Sequence, residues 1–227
     1  MPSSRNAALV RIGGWFALIV AAMQVAGNGL HPPIPADTDA ALTLIAGTGR
    51  WPVIHVIITV SYFAFIPFVL GVAASFPAPG WPVRIGTVFV IAGAAIGAVQ
   101  ILTHLTLFRF VAEVYVSGEA ALRSEAVLLY ETFWPYSTGL EVAHLVLIFV
   151  AVGLFGVAML RTPRYRRWIA LLGLFAGGVA TAGVLVGKFV VHGATGGLIF
   201  GLSLLPLIVW IVAVGIVLIR ARPAPAF

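Results

Sequence analysis

Six stretches of this chain run apolar for twenty residues or more and carry almost no charge, at 9–30, 52–75, 84–107, 138–160, 168–190 and 197–219. About 20 such residues let one helix cross the hydrocarbon of a bilayer. Backbone groups in lipid must be satisfied within their own segment or in a closed barrel. A barrel would alternate polar and apolar residues in short segments, and these stretches do not. The sequence therefore predicts an all-α, polytopic integral membrane protein, with six transmembrane helices forming a single membrane domain over 1–227. Charged residues make up only 9% of the chain, against about 25% in a soluble domain.

Punctuation supports the breaks between spans. "HPPIP" closes the first, "PAPGWP" parts the second from the third, "RTPRYRR" the fourth from the fifth, and "HGATGG" the fifth from the sixth. Pro67 and Pro206 fall inside spans and are expected to kink them, which membrane helices tolerate. Arg5 and Arg11 before an apolar stretch resemble a signal peptide in outline. That stretch is long enough to span, however, and five more follow it.

Lys and Arg set the orientation. Arg5, Arg11, Arg84, Arg161, Arg164, Arg166, Arg167, Arg220 and Arg222 fall on one side, and Arg50, Arg109, Arg123 and Lys188 on the other. Nine against four places both termini in the cytoplasm of a cell inner or plasma membrane. The loops at 31–51 and 108–137 then face outward, each with a short helix. Asp37 or Thr38 is the expected cap of the first and Ser117 of the second. Trp51-Pro52 and Trp134-Pro135 follow these helices, so the two halves carry a weak likeness of loop helix, Trp-Pro and histidine-bearing span.

All seven acids and all five histidines fall on the outward half. Residues three or four apart share a helix face, and this spacing draws polar stripes. They are Gln24, Asn28 and His31 on the first span, and His55, Thr59 and Tyr62 on the second. Gln100 with His104 marks the third, Glu141 with His144 the fourth, and Thr181, Lys188 and His192 the fifth. The sixth has only Ser203 at that depth and reads as a lipid-facing closing helix. Polar groups in a membrane usually turn inward, toward partners or a wet cavity. One polar pocket in the outer leaflet is therefore expected, lined by Gln24, Asn28, Thr59, Tyr62, Gln100 and Trp134. Close helix approach is expected at Gly93 and Gly97, Gly173 and Gly177, and Gly183 and Gly187.

His55, His104, His144 and His192 are the candidate ligands of a transition-metal ion or a haem. Glu141 joins the metal set, because Glu-x-x-His lets both side chains of one helix reach one ion. Glu141, His144, Lys188 and Glu131 are the candidate acid–base groups. Lys188 can pair with Glu141 or Glu131, or snorkel to headgroups. His31, followed by Pro32 and Pro33, reads as a helix stop at the pocket mouth. Cysteine is absent, which excludes disulfides and thiolate sites. The net charge of +6 sits at span ends and does not point to nucleic acid. No His-Glu-x-x-His pair occurs, and no histidines stand near the inner face to carry a second haem.

The chemistry expected is that of a membrane-embedded metal or haem protein, an oxidoreductase or isomerase of a lipophilic small molecule. Two other readings use the same pocket. One is metal-free acid–base catalysis. The other is non-enzymatic: ligand binding, transport, or contact with membrane lipid, a second copy or a partner membrane subunit.

Overall fold

The computed structural model describes residues 4–191 and 193–221. Among these residues the regular elements are all helical: α1 (Ser4–Leu30), α2 (Thr38–Gly47), α3 (Trp51–Ala74), α4 (Trp81–Thr103), α5 (Arg109–Ser117), α6 (Ala120–Met159), α7 (Arg167–Leu185), α8 (Gly193–Ser203) and α9 (Leu205–Ile219). A π-helical turn, His104–Phe108, joins α4 to α5, and a second, Val186–Val190, extends α7. Six helices are long and apolar enough to span a membrane.

The spans close into a ring. α1 packs on α3, α3 on α4, α4 on α6, α6 on α7, α7 on α9, and α9 returns to α1. The sixth span is therefore more than a lipid-facing cover. It buries Leu207, Trp210, Ile211, Val214 and Leu218 against its neighbours while Leu198, Leu202, Leu205 and Val209 stay exposed. It also breaks at Leu204 into α8 and α9, where Pro206 follows one residue inside α9.

Small residues let the backbones touch. A Cβ on Gly13 of α1 would lie 2.6 Å from the Gly71 Cα of α3. One on Gly93 of α4 would lie 2.9 Å from the His144 carbonyl oxygen of α6, and one on Gly177 of α7 would lie 2.6 Å from the Phe149 carbonyl oxygen. Association in lipid depends on packing of this kind, because lipid tails are as apolar as the side chains.

The region 108–137 differs from its expected form. It holds no separate loop helix. The third span continues unbroken from Trp81 to Ser117, 37 residues, and the fourth starts at Ala120 and runs 40 residues to Met159. Ser117 is the last residue of α5, and Glu119 takes the N-cap position of α6. Trp134-Pro135 lies inside α6, where proline costs one backbone hydrogen bond without ending the helix. At 1.5 Å per residue these helices are about 55–60 Å long, roughly twice the hydrocarbon thickness. Their ends pack on each other as a hairpin. In the 31–51 segment α2 forms as expected, with Asp37 Oδ1 accepting from the Ala40 backbone N–H at 2.8 Å. Its last carbonyls are met by Arg109, whose Nη1 donates to Ile45 O at 2.7 Å and Ala46 O at 3.0 Å.

Two apolar cores result. The larger fills the ring, with Phe65, Phe68, Phe155 and Trp210 near its middle. The smaller joins α2 to the hairpin through Leu42, Ile45, Trp51, Phe108, Val111, Ala126 and Tyr130. Histidines lie where the two meet, so one end of the ring is the histidine end. The opposite end carries Arg11, Arg84, Arg161, Arg164, Arg166, Arg167 and Arg220 at helix starts and finishes. There Tyr165 pins the α6–α7 link to the end of α3, its hydroxyl 2.5 Å from Ser75 Oγ. Burial pushes that phenol up to about 12, so it stays protonated at neutral pH, against smaller lowering by the Ser75 bond and Arg164.

Candidate metal centre

His31, His55 and His104 come from three different segments, and one nitrogen from each lies within 4.8 Å of the others. His31 follows the last turn of α1. His55 stands one turn into α3, four residues after Trp51. His104 opens the π-turn beyond α4. Such turns recur at functional sites, because one residue too many per turn re-aims a side chain.

The rings touch. His31 and His55 centroids are 5.1 Å apart, His55 and His104 5.6 Å. Trp51 lies over His55 at 4.2 Å and beside His31 at 5.3 Å. Its indole N–H donates to the His104 carbonyl oxygen at 3.0 Å, which ties the start of α3 to the end of α4. Phe108 and Trp134 flank His104 at 5.0 and 5.5 Å. The two Trp-Pro sequences thus supply two indoles bordering the same imidazole, one at a helix start and one inside a helix.

Each ring has one nitrogen committed and one available. His31 Nδ1–H donates to Pro32 O at 2.8 Å, and His55 Nδ1–H donates to Trp51 O at 2.8 Å. That leaves His55 Nε2 as a buried lone pair with no partner. His104 Nε2 lies 2.9 Å from Ser137 Oγ and 3.0 Å from the Gln100 amide, while its Nδ1 is buried without a partner. In the tautomer with Nε2–H donating to Ser137, Nδ1 carries a free lone pair. A half-turn of the Gln100 amide then brings its own unpartnered Oε1 to that N–H. Buried polar atoms nearly always find partners, so two such nitrogens in one cluster call for an explanation. Histidines that hold metals typically give their second N–H to a carbonyl or a neighbouring side chain; His31 and His55 do so, and His104 does so in the tautomer that donates to Ser137.

The group suits a single ion. Four-coordinate zinc with Zn–N bonds of about 2.0–2.1 Å places its nitrogens about 3.3 Å apart. The observed spacing, within 4.8 Å, is wider than that, so the rings would close on the ion when it binds. It does not suit a haem between these rings, which lie against one another and leave no slot for a macrocycle. Burial lowers the pKa of His31 below its ordinary value, with a smaller opposite pull from its Pro32 hydrogen bond and Glu141 and a small lowering by Lys188. Burial thus favours the neutral ring that a ligand requires.

The other candidate residues are distributed around this group. His144 is not in it, because both nitrogens are used. Nε2 accepts from Tyr62 O–H at 2.8 Å and Nδ1–H donates to Leu140 O at 3.0 Å. His192 lies outside the described residues. Glu141 is not in the group either, since its Oε2 accepts from Lys188 Nζ at 2.7 Å. Glu131 is exposed on the hairpin and accepts from Thr38 Oγ1 at 3.0 Å, which ties α6 to α2 rather than covering a pocket. Gln24 donates to Ser61 Oγ at 2.7 Å and accepts from Asn28 Nδ2 at 2.8 Å, joining α1 to α3. Thr59 returns its hydroxyl to His55 O at 2.8 Å. Gln100 and Trp134 border His104 directly.

Sequence reasoning placed His31 at the mouth and missed it as a third donor. The signal was its position on one stripe with Gln24 and Asn28. Ser137 was also missed, a residue four positions before Glu141 that aligns with it on α6. No family model, no curated protein and no solved structure matches this chain.

Proposed function

We propose that this chain is an integral membrane metalloprotein that holds one transition-metal ion through His31, His55 and His104. One observation carries the reading: three histidines each bring a nitrogen within 4.8 Å of the others, and two of their rings hold a buried nitrogen without a partner. Nitrogen donors without thiolate suit zinc, copper, iron or nickel. Three protein ligands leave a fourth position for water or substrate, as in catalytic rather than structural sites. The ion supplies Lewis-acid or redox chemistry there, and the chain orients the ligands through Pro32, Trp51 and Ser137.

The arginine distribution supports cytoplasmic termini with the histidine end outside. A lipophilic substrate of an oxidoreductase or isomerase then reaches the centre from the outer leaflet. Metal-free acid–base catalysis is the weaker reading, because Tyr62 with His144 and Glu141 with Lys188 already satisfy each other.

Chelator-stripped protein in detergent, titrated with zinc or cobalt(II), is expected to take up one ion per chain. Cobalt should give the intense visible bands of four-coordination. Copper(II) should quench indole emission, and Trp51→Phe should remove much of that quenching. Absence of saturable uptake of any of these ions would end the proposal.

A further inference from the structure

The three-histidine centre raises a charge problem. Neutral imidazoles offset neither charge of a divalent ion, and burying a charge is costly unless it is paired. An anion has to come from nearby. Ser137 of α6 touches His104 Nε2 at 2.9 Å. Glu141 stands four residues further along, on the same helix face.

Glu141 and Lys188 are bound to each other at 2.7 Å, with side chains 23% and 27% exposed. Lys188 rises from the second π-turn, and its ammonium sits 5.5 Å from the centre of the Phe200 ring. This pair therefore has solvent and room to move, unlike the buried Tyr62–His144 pair.

We propose that Glu141 is the counter-anion of the metal centre, held by Lys188 in the metal-free state and surrendered to the ion when it binds. The inference rests on the three-histidine reading above. A dication repels the ammonium and attracts the carboxylate. Lys188 swings toward water, and Glu141 turns toward the ion, directly or through one water. Lys188 is then a competitor of the metal, and the ion pair sets its affinity.

Zinc affinity measured by calorimetry on the full chain in detergent tests this. Glu141→Gln is expected to weaken zinc binding by about ten-fold or more, and Lys188→Met to tighten it by several-fold. The infrared difference spectrum of the parent protein, zinc-bound minus metal-free, should show a shifted carboxylate stretch that Glu141→Gln abolishes. That spectrum needs only the parent protein, so the test survives a variant that fails to fold. Zinc binding by the parent, with an unchanged Glu141→Gln affinity and no carboxylate band, overturns the exchange alone. No zinc binding by the parent removes the metal reading itself, and the exchange with it.

Discussion

Replacing His55 with phenylalanine is expected to lower zinc affinity at least about 100-fold, or about 2.8 kcal/mol at 1.4 kcal/mol per decade, without destabilising the metal-free protein. The two effects have separate causes. His55 Nε2 is buried and unpartnered, and an unsatisfied buried polar atom costs about 1–3 kcal/mol. Phenylalanine keeps a ring against Trp51, 4.2 Å away, and removes the orphaned nitrogen. The lost Nδ1–H bond to Trp51 O is partly offset, because that carbonyl keeps its helical partner. Thermal unfolding with and without zinc checks this. Zinc at 100 times the parent's dissociation constant should stabilise the parent by about 2.7 kcal/mol and the variant by about 0.4 kcal/mol at most. A phenylalanine variant that zinc protects as well as the parent would show that His55 is packing, not a ligand.

Gly93→Leu is expected to cost the ring a large share of its stability. A Cβ there would stand 2.9 Å from the His144 carbonyl oxygen and 2.9 Å from Ile148 Cγ1. The Ile148 side chain can give way but the His144 carbonyl cannot, so α4 and α6 must part. Overpacking in a close-packed interior costs about 1–3 kcal/mol, and this contact sits at or above the upper end. His104 rides on the far end of α4, so metal affinity should fall as well, by about ten-fold. Gly178→Leu is the control. Its Cβ would meet nothing within 4 Å, and a surface change of this kind stays within about 0.5 kcal/mol. Denaturant titration of the two variants should separate them clearly. Equal midpoints would mean that α4 and α6 are not held by this contact.

Much of this architecture is legible in residues. The six spans follow from apolar runs, because a long run without alternation satisfies its backbone in lipid only as a helix. Asp37 announces α2, since a short carboxylate before an apolar run meets the free N–H groups of a first turn. The glycine pairs on the third and fifth spans announce the contacts that they make. The hairpin was not legible. Pro135 reads as a terminator, yet only one hydrogen bond is lost there, and tertiary contacts carry α6 past it. The candidate site was half legible. His55 and His104 stood out by their stripes, but a stripe fixes a face and not a partner. His144 shares that depth and is consumed by Tyr62 across the ring, a contact between residues 82 apart. His31 reads locally as a helix stop before two prolines. That position is what frees it to fold over the start of α3.

X-ray absorption at the metal edge of the zinc-loaded protein tests the central claim most directly. The account predicts three imidazole nitrogens at about 2.0–2.1 Å, with the outer-ring multiple scattering that imidazoles produce, falling to two in His31→Ala. A first shell of oxygen alone, or a spectrum unchanged when His31 is removed, would contradict it.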